Sequence, residues 1–165
     1  MLIDWHSHHT APEVAEKVAQ AGGPSQRTDP QDSIDFGKRV GDMDDAGIDV
    51  QIVSQGGGLN ADGFTPEVAM ALVRTSNDVV ANRIAPYAGR LLGSVAITYK
   101  DPAGSAREIA RMSDEGFRSV MIYANGDLVT RPETEPIFAE AHERSMPIFL
   151  HGGGRERRDH QASNV

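Results

Sequence analysis

Five short apolar runs, separated by stretches of helical periodicity, leave this chain few folds to adopt. The runs are Leu2-Ile3-Asp4-Trp5, Ile48-Asp49-Val50-Gln51-Ile52-Val53, Leu91-Leu92-Gly93-Ser94-Val95-Ala96-Ile97, Ser119-Val120-Met121-Ile122-Tyr123 and Pro147-Ile148-Phe149-Leu150. Each is rich in β-branched or large apolar residues, as buried parallel strands are. Thr65-Pro66-Glu67 reads as a helix start with an N-cap, a first-turn proline and an acid at the positive end. From there Val68, Ala69, Leu72, Val73, Val79, Val80 and Ile84 form one stripe at 100° per residue. Asp101-Pro102 opens another helix, with Ala106, Ile109 and Ala110 on one face and Arg107, Glu108 and Arg111 on the other. Further helices are expected near Pro12 to Ala21, from Asp32 to a stop at Gly47, and around Ile137, Phe138 and Ala141. In the last of these, Glu140 and Arg144 make a favourable i,i+4 pair. Such βαβα repetition predicts an α/β fold with a parallel sheet and right-handed crossovers.

Charge and composition narrow the function classes. Sixteen basic against 24 acidic residues give a net charge of −8, which speaks against nucleic-acid backbone or anionic membrane partners. The absence of cysteine excludes disulfides, thiolate nucleophiles and zinc-thiolate sites. No apolar run approaches the roughly 20 residues needed to cross a bilayer. Met1 to Trp5 lacks the basic and apolar regions of a secretory signal, so a cytoplasmic protein is expected.

The histidines carry the chemistry. His6 and His8 stand at the end of the first run, two apart, so in extended backbone both rings point to one side and can grip one cation. Taken alone, the pair equally fits a polar strand end. His151 follows the fifth run directly, and strand carboxyl ends are where α/β folds place their sites. His142 reads as a surface residue, and His9 as either a neighbour of the site or a residue without a role. Gln55-Gly56-Gly57-Gly58 lacks dinucleotide-loop spacing and reads as a flexible loop. Asn125-Gly126-Asp127 reads as a turn, and Asp42, Asp44 and Asp45 as a solvated face.

The opening Ile3-Asp4-Trp5-His6-Ser7-His8 resembles the H-x-H start of the amidohydrolase superfamily. The stretch from Gly41 through Asp42-Met43-Asp44-Asp45-Ala46-Gly47-Ile48-Asp49-Val50-Gln51-Ile52-Val53 to Ser54 resembles the branch containing aminocarboxymuconate-semialdehyde decarboxylase. Ser76-Asn77-Asp78, Asp101-Pro102, Gly116-Phe117 and Phe149-Leu150-His151 fit the same branch in the same order. The resemblance implies a metal-dependent, TIM-type (β/α) barrel enzyme. It implies a divalent metal, usually zinc, held by His6, His8 and His151, and a small carboxylic acid as substrate. The implied activity is non-oxidative decarboxylation of unsaturated or aromatic carboxylic acids, with hydrolysis of an ester, lactone or amide as the alternative. Arg27 falls where the family can hold a substrate carboxylate with an arginine.

The length departs from that family. A (β/α)₈ barrel typically takes about 250 residues, and this chain has 165. Residues 1–151 are expected to form the N-terminal five βα units, and residues 152–165 an irregular tail. The family's catalytic histidine and aspartate would then fall past residue 165. On this reading the isolated chain is a shortened product. An inactive fragment is then the alternative to an active enzyme, and the open edges of the first and fifth strands are expected to make the chain self-associate or poorly soluble.

Overall fold

Helices and strands fall where the sequence pattern places them, except that the helix expected from Asp32 begins at Phe36, after its cap Asp35. The computed structural model describes residues 1–24, 35–56, 59, 61–124 and 127–152. Strand β1 spans Ile3–His9 and is followed by helix α1 (Pro12–Gln20) and α2 (Phe36–Ala46). Then come β2 (Val50–Gln55), α3 (Pro66–Ile84), β3 (Leu91–Ala96), α4 (Pro102–Asp114), β4 (Ser119–Tyr123), α5 (Glu135–Glu143) and β5 (Ile148–His151). Asp35 caps α2 by accepting from the Gly37 and Lys38 amides, and Gly47 ends it in the left-handed region at φ 69°. Asp101 caps α4 through the Gly104 amide. Thr65 stands at the N-cap of α3 without a side-chain cap bond, so Pro66 is what marks that start.

The five strands form one sheet in the order β1-β2-β3-β4-β5, and every neighbouring pair is parallel. This is the expected α/β architecture of consecutive βα units. The first strand runs four residues past the apolar run that announced it, through His9. One extra residue sits in β1 between Asp4 and Ser7 relative to β2, a bulge that takes in Trp5 and His6.

Strand alternation divides the molecule into two sides. Val53, Leu91, Val95, Val120 and Ile122 turn outward and join Phe36, Met43, Val80, Ile84, Ile109, Met112, Phe117, Ile137 and Ala141 in the core beneath the helices. A second apolar cluster joins Val14 and Val18 of α1 to Ala69, Leu72 and Val73 of α3. Glu108 departs from the face assigned to it by periodicity. It is 1% exposed. Its carboxylate accepts from the Asn77 amide at 3.0 Å and from Arg111 at 2.6 and 2.9 Å. Asn77 in turn donates to the Ala96 carbonyl and accepts from the Ala96 amide, so a buried polar group ties α3 and α4 to β3.

Candidate metal centre

His6 and His8 come from one edge strand and His151 from the other. In a flat sheet, four inter-strand steps would separate β1 from β5 by about 19 Å. Yet the His6 and His151 Nε2 atoms lie 3.0 Å apart, so the sheet is curled. The Nε2 atoms of His6 and His8 are 2.9 Å apart, and those of His8 and His151 are 3.2 Å apart. The sequence-predicted trio therefore converges at the carboxyl ends of β1 and β5. It is the group among the described residues whose ligand atoms cluster as those of a metal site do.

The donor set suits a cation. Nitrogens held about 2.0–2.1 Å from one ion at tetrahedral angles stand about 3.3–3.4 Å apart. The three observed separations are close to that spacing. Neutral imidazole is a ligand for zinc and other first-row divalent metals. His6 is exposed and His8 and His151 are half-buried, so the cluster lies open to solvent on one side.

Neighbouring side chains set the rings. Ser54, opposite His8 in the β1–β2 ladder, places its Oγ 2.9 Å from His8 Nδ1. Tyr123, opposite His151 in the β4–β5 ladder, lies 4.8 Å from the His151 ring centroid to centroid. The Phe149 ring stands 5.2 Å from that of His6. The Tyr123 hydroxyl donates to the Gln55 carbonyl at 2.9 Å, and the Tyr99 hydroxyl donates to the Tyr123 carbonyl at 2.9 Å. Burial pushes the Tyr123 phenol up to about 12. Burial and the Asp62 carboxylate do the same to Tyr99. Both hydroxyls thus stay protonated donors near neutral pH.

His9 turns the other way, as alternation from His8 requires. It is fully buried, packs its ring 5.0 Å from Phe36 and accepts through Nε2 from Arg83, which also holds Glu13 at 2.7 and 2.9 Å. It therefore belongs to the helix layer. On the same side of β1, Arg39 donates to the Ser7 hydroxyl, to Gln51 Oε1 at 2.9 Å and to the His8 carbonyl at 3.1 Å. Gln51 donates to Asp4 at 2.7 Å, so the segment carrying the bulge is braced from α2 and β2. His142 is exposed on α5, as expected. Arg27, Asn125, Gly126 and the tail from residue 153 lie outside the described residues. Sequence reading placed Ser54 only within a family motif and gave Tyr123 no role. Their part depends on register across the sheet, which one strand's sequence does not reveal.

A sequence model of the amidohydrolase family matches residues 3–165. The chain belongs to that family. Gamma-resorcylate decarboxylase of Rhizobium radiobacter is 29% identical over 122 residues, which cover 66% of this chain and 36% of that protein. The structure of 2,6-dihydroxybenzoate decarboxylase from Rhizobium superposes with a TM-score of 0.75 at 23% identity, covering 98% of this chain and 53% of that one. A 5-carboxyvanillate decarboxylase from Novosphingobium aromaticivorans, complexed with manganese and 4-hydroxy-3-methoxy-5-nitrobenzoic acid, matches with a TM-score of 0.75 at 22% identity. That match covers 92% of this chain and 50% of the other. The chain spans about half the length of these amidohydrolase-family structures, and its five βα units share their barrel fold.

Proposed function

We propose that this chain carries the metal-binding part of an amidohydrolase-family enzyme that removes carboxylate from an aromatic carboxylic acid without an oxidant. The observation that carries the reading is the meeting of three imidazole Nε2 atoms within 3.2 Å at the carboxyl ends of the two edge strands. The decarboxylase names of the relatives support the reaction. Residues 1–151 make up the N-terminal part of the barrel on this reading, and residues 152–165 a tail.

His6, His8 and His151 would hold one divalent ion. Zinc is the family's usual metal, and manganese is bound in one of the matched decarboxylases. When bound, the ion supplies Lewis-acid polarisation of a substrate oxygen. The chain's own contribution is to orient the acid. Tyr123 and Phe149 flank the cluster with aromatic faces suited to a flat ring. In the reaction the bond from ring carbon to carboxylate breaks, carbon dioxide leaves, and a proton takes its place on the ring carbon. Hydrolysis of an ester or amide would use the same three ligands, and the named relatives favour decarboxylation over it. We assign the protein to the cytoplasm. No described helix is long and apolar enough to cross a membrane.

The test is calorimetric titration of zinc and of manganese into the purified chain, followed by carbon dioxide release from 2,6-dihydroxybenzoate. One ion per chain, with affinity falling by orders of magnitude in His151→Ala, is expected. Equal ion binding by parent and His151→Ala would overturn the site. A metal-loaded chain that cleaves an aryl ester and releases no carbon dioxide would overturn the reaction.

A further inference from the structure

We propose that Ser54 is a positioning residue that locks the His8 ring in the tautomer able to bind a metal. The inference rests on the metal reading of the histidine cluster. A serine hydroxyl carries one proton. Ser54 Oγ lies 2.9 Å from the Ser7 carbonyl oxygen, which only accepts, so the proton is donated there. The same oxygen lies 2.9 Å from His8 Nδ1. With its proton committed to Ser7, the hydroxyl can only accept from that nitrogen, so Nδ1 carries the ring hydrogen. A neutral imidazole has one N–H. Nε2 is therefore left with its lone pair, facing the Nε2 atoms of His6 and His151 at 2.9 and 3.2 Å.

The arrangement is built into the fold. His8 and Ser54 are direct partners in the β1–β2 ladder, and Ser54 is fully buried, so bulk water does not compete for its hydroxyl. His151 is held differently. Its Nδ1 is buried with no hydrogen-bond partner among the described residues, and its ring packs against Tyr123. Metal-ligating histidines usually donate their second N–H to a neighbouring acceptor, and losing that acceptor typically weakens metal binding by about 10–100-fold. Ser54 supplies this acceptor to His8.

Nitrogen-15 NMR of the histidine rings at about pH 8, above the ordinary histidine pKa of about 6.5, reads the tautomer directly. In the parent chain His8 is expected with its hydrogen on Nδ1. Ser54→Ala is expected to mix the two tautomers and to weaken zinc or manganese binding by about 10–100-fold. Ser54→Thr, which keeps the hydroxyl, is expected to restore both. A hydrogen on Nε2 of His8 in the parent overturns the inference, and that result stands whether or not Ser54→Ala folds. A folded Ser54→Ala with the parent's affinity and tautomer also overturns it. A parent chain that binds neither ion overturns the metal reading itself, and the tautomer measurement then still decides the role of Ser54.

Discussion

Gly93 shows how little room single residues have in this sheet. It stands in β3, where a methyl group would fall onto the Phe117 ring beneath it. Phe117 is fully buried and anchors the turn between α4 and β4, so the ring has nowhere to retreat. Gly93→Ala is expected to destabilise the fold by about 1–3 kcal/mol, as overpacking does. Denaturant unfolding by circular dichroism measures it, and an unchanged midpoint would show that the ring shifts freely. The glycine was visible in the sequence as part of an apolar run. That a ring would lie over it was not, because Phe117 is 24 residues away in the chain. The same limit applied to the site. His6, His8 and His151 were legible from residue type and strand position, whereas Ser54 and Tyr123 became neighbours of these rings only through strand register.

Among the elements, one buried carboxylate, Glu108 of α4, bonds Asn77 of α3, which in turn bonds Ala96 of β3. Burial by itself would raise the pKa of Glu108. Hydrogen bonds from Arg111 and Asn77, with the charges of Arg111 and Arg74, outweigh burial and hold it below the ordinary 4.5. A carboxyl depressed in the folded state adds stability that is fully present above its unfolded pKa and is lost as pH falls through the folded value. The chain is therefore expected to lose stability on acidification below about pH 4.5, the ordinary glutamate value. Glu108→Gln is expected to flatten that acid limb and to cost about 2–3 kcal/mol near neutrality. Arg111 would remain held by Asp78 at 2.8 Å, so its charge is not stranded. Thermal melts of parent and variant across pH 3 to 7 check both the slope and the offset, and parallel curves would refute the assignment. Periodicity put Glu108 on the solvated face because it cannot know that Asn77, on a different helix, waits opposite.

At the scale of the whole molecule, among the described residues β1 pairs only with β2 and β5 only with β4. Each edge therefore presents unpaired backbone groups, a template for association. Apolar side chains accompany them: Leu2 is 54% exposed, Ile3 39% and Leu150 56%. The 165-residue chain is expected to self-associate at micromolar concentration in spite of its net charge of −8. Leu150→Lys, which puts a charge on the β5 edge, is expected to shift sedimentation toward a 17.8 kDa monomer. A parent chain that already sediments as a monodisperse monomer would show that these edges are inert.

The one-dimensional pattern was enough for the βα alternation, the helix starts at Pro12, Pro66 and Pro102 and the stop at Gly47. These are local: proline, glycine and apolar period act within a turn or a strand. It was also enough to single out three histidines by their place at strand ends. Only the tertiary structure decided that they meet, because joining His151 to His6 requires the sheet to curl through four strand pairings. It also separated His9 from His8. Alternation places them on opposite faces, but which face the helices cover is a property of the packed molecule.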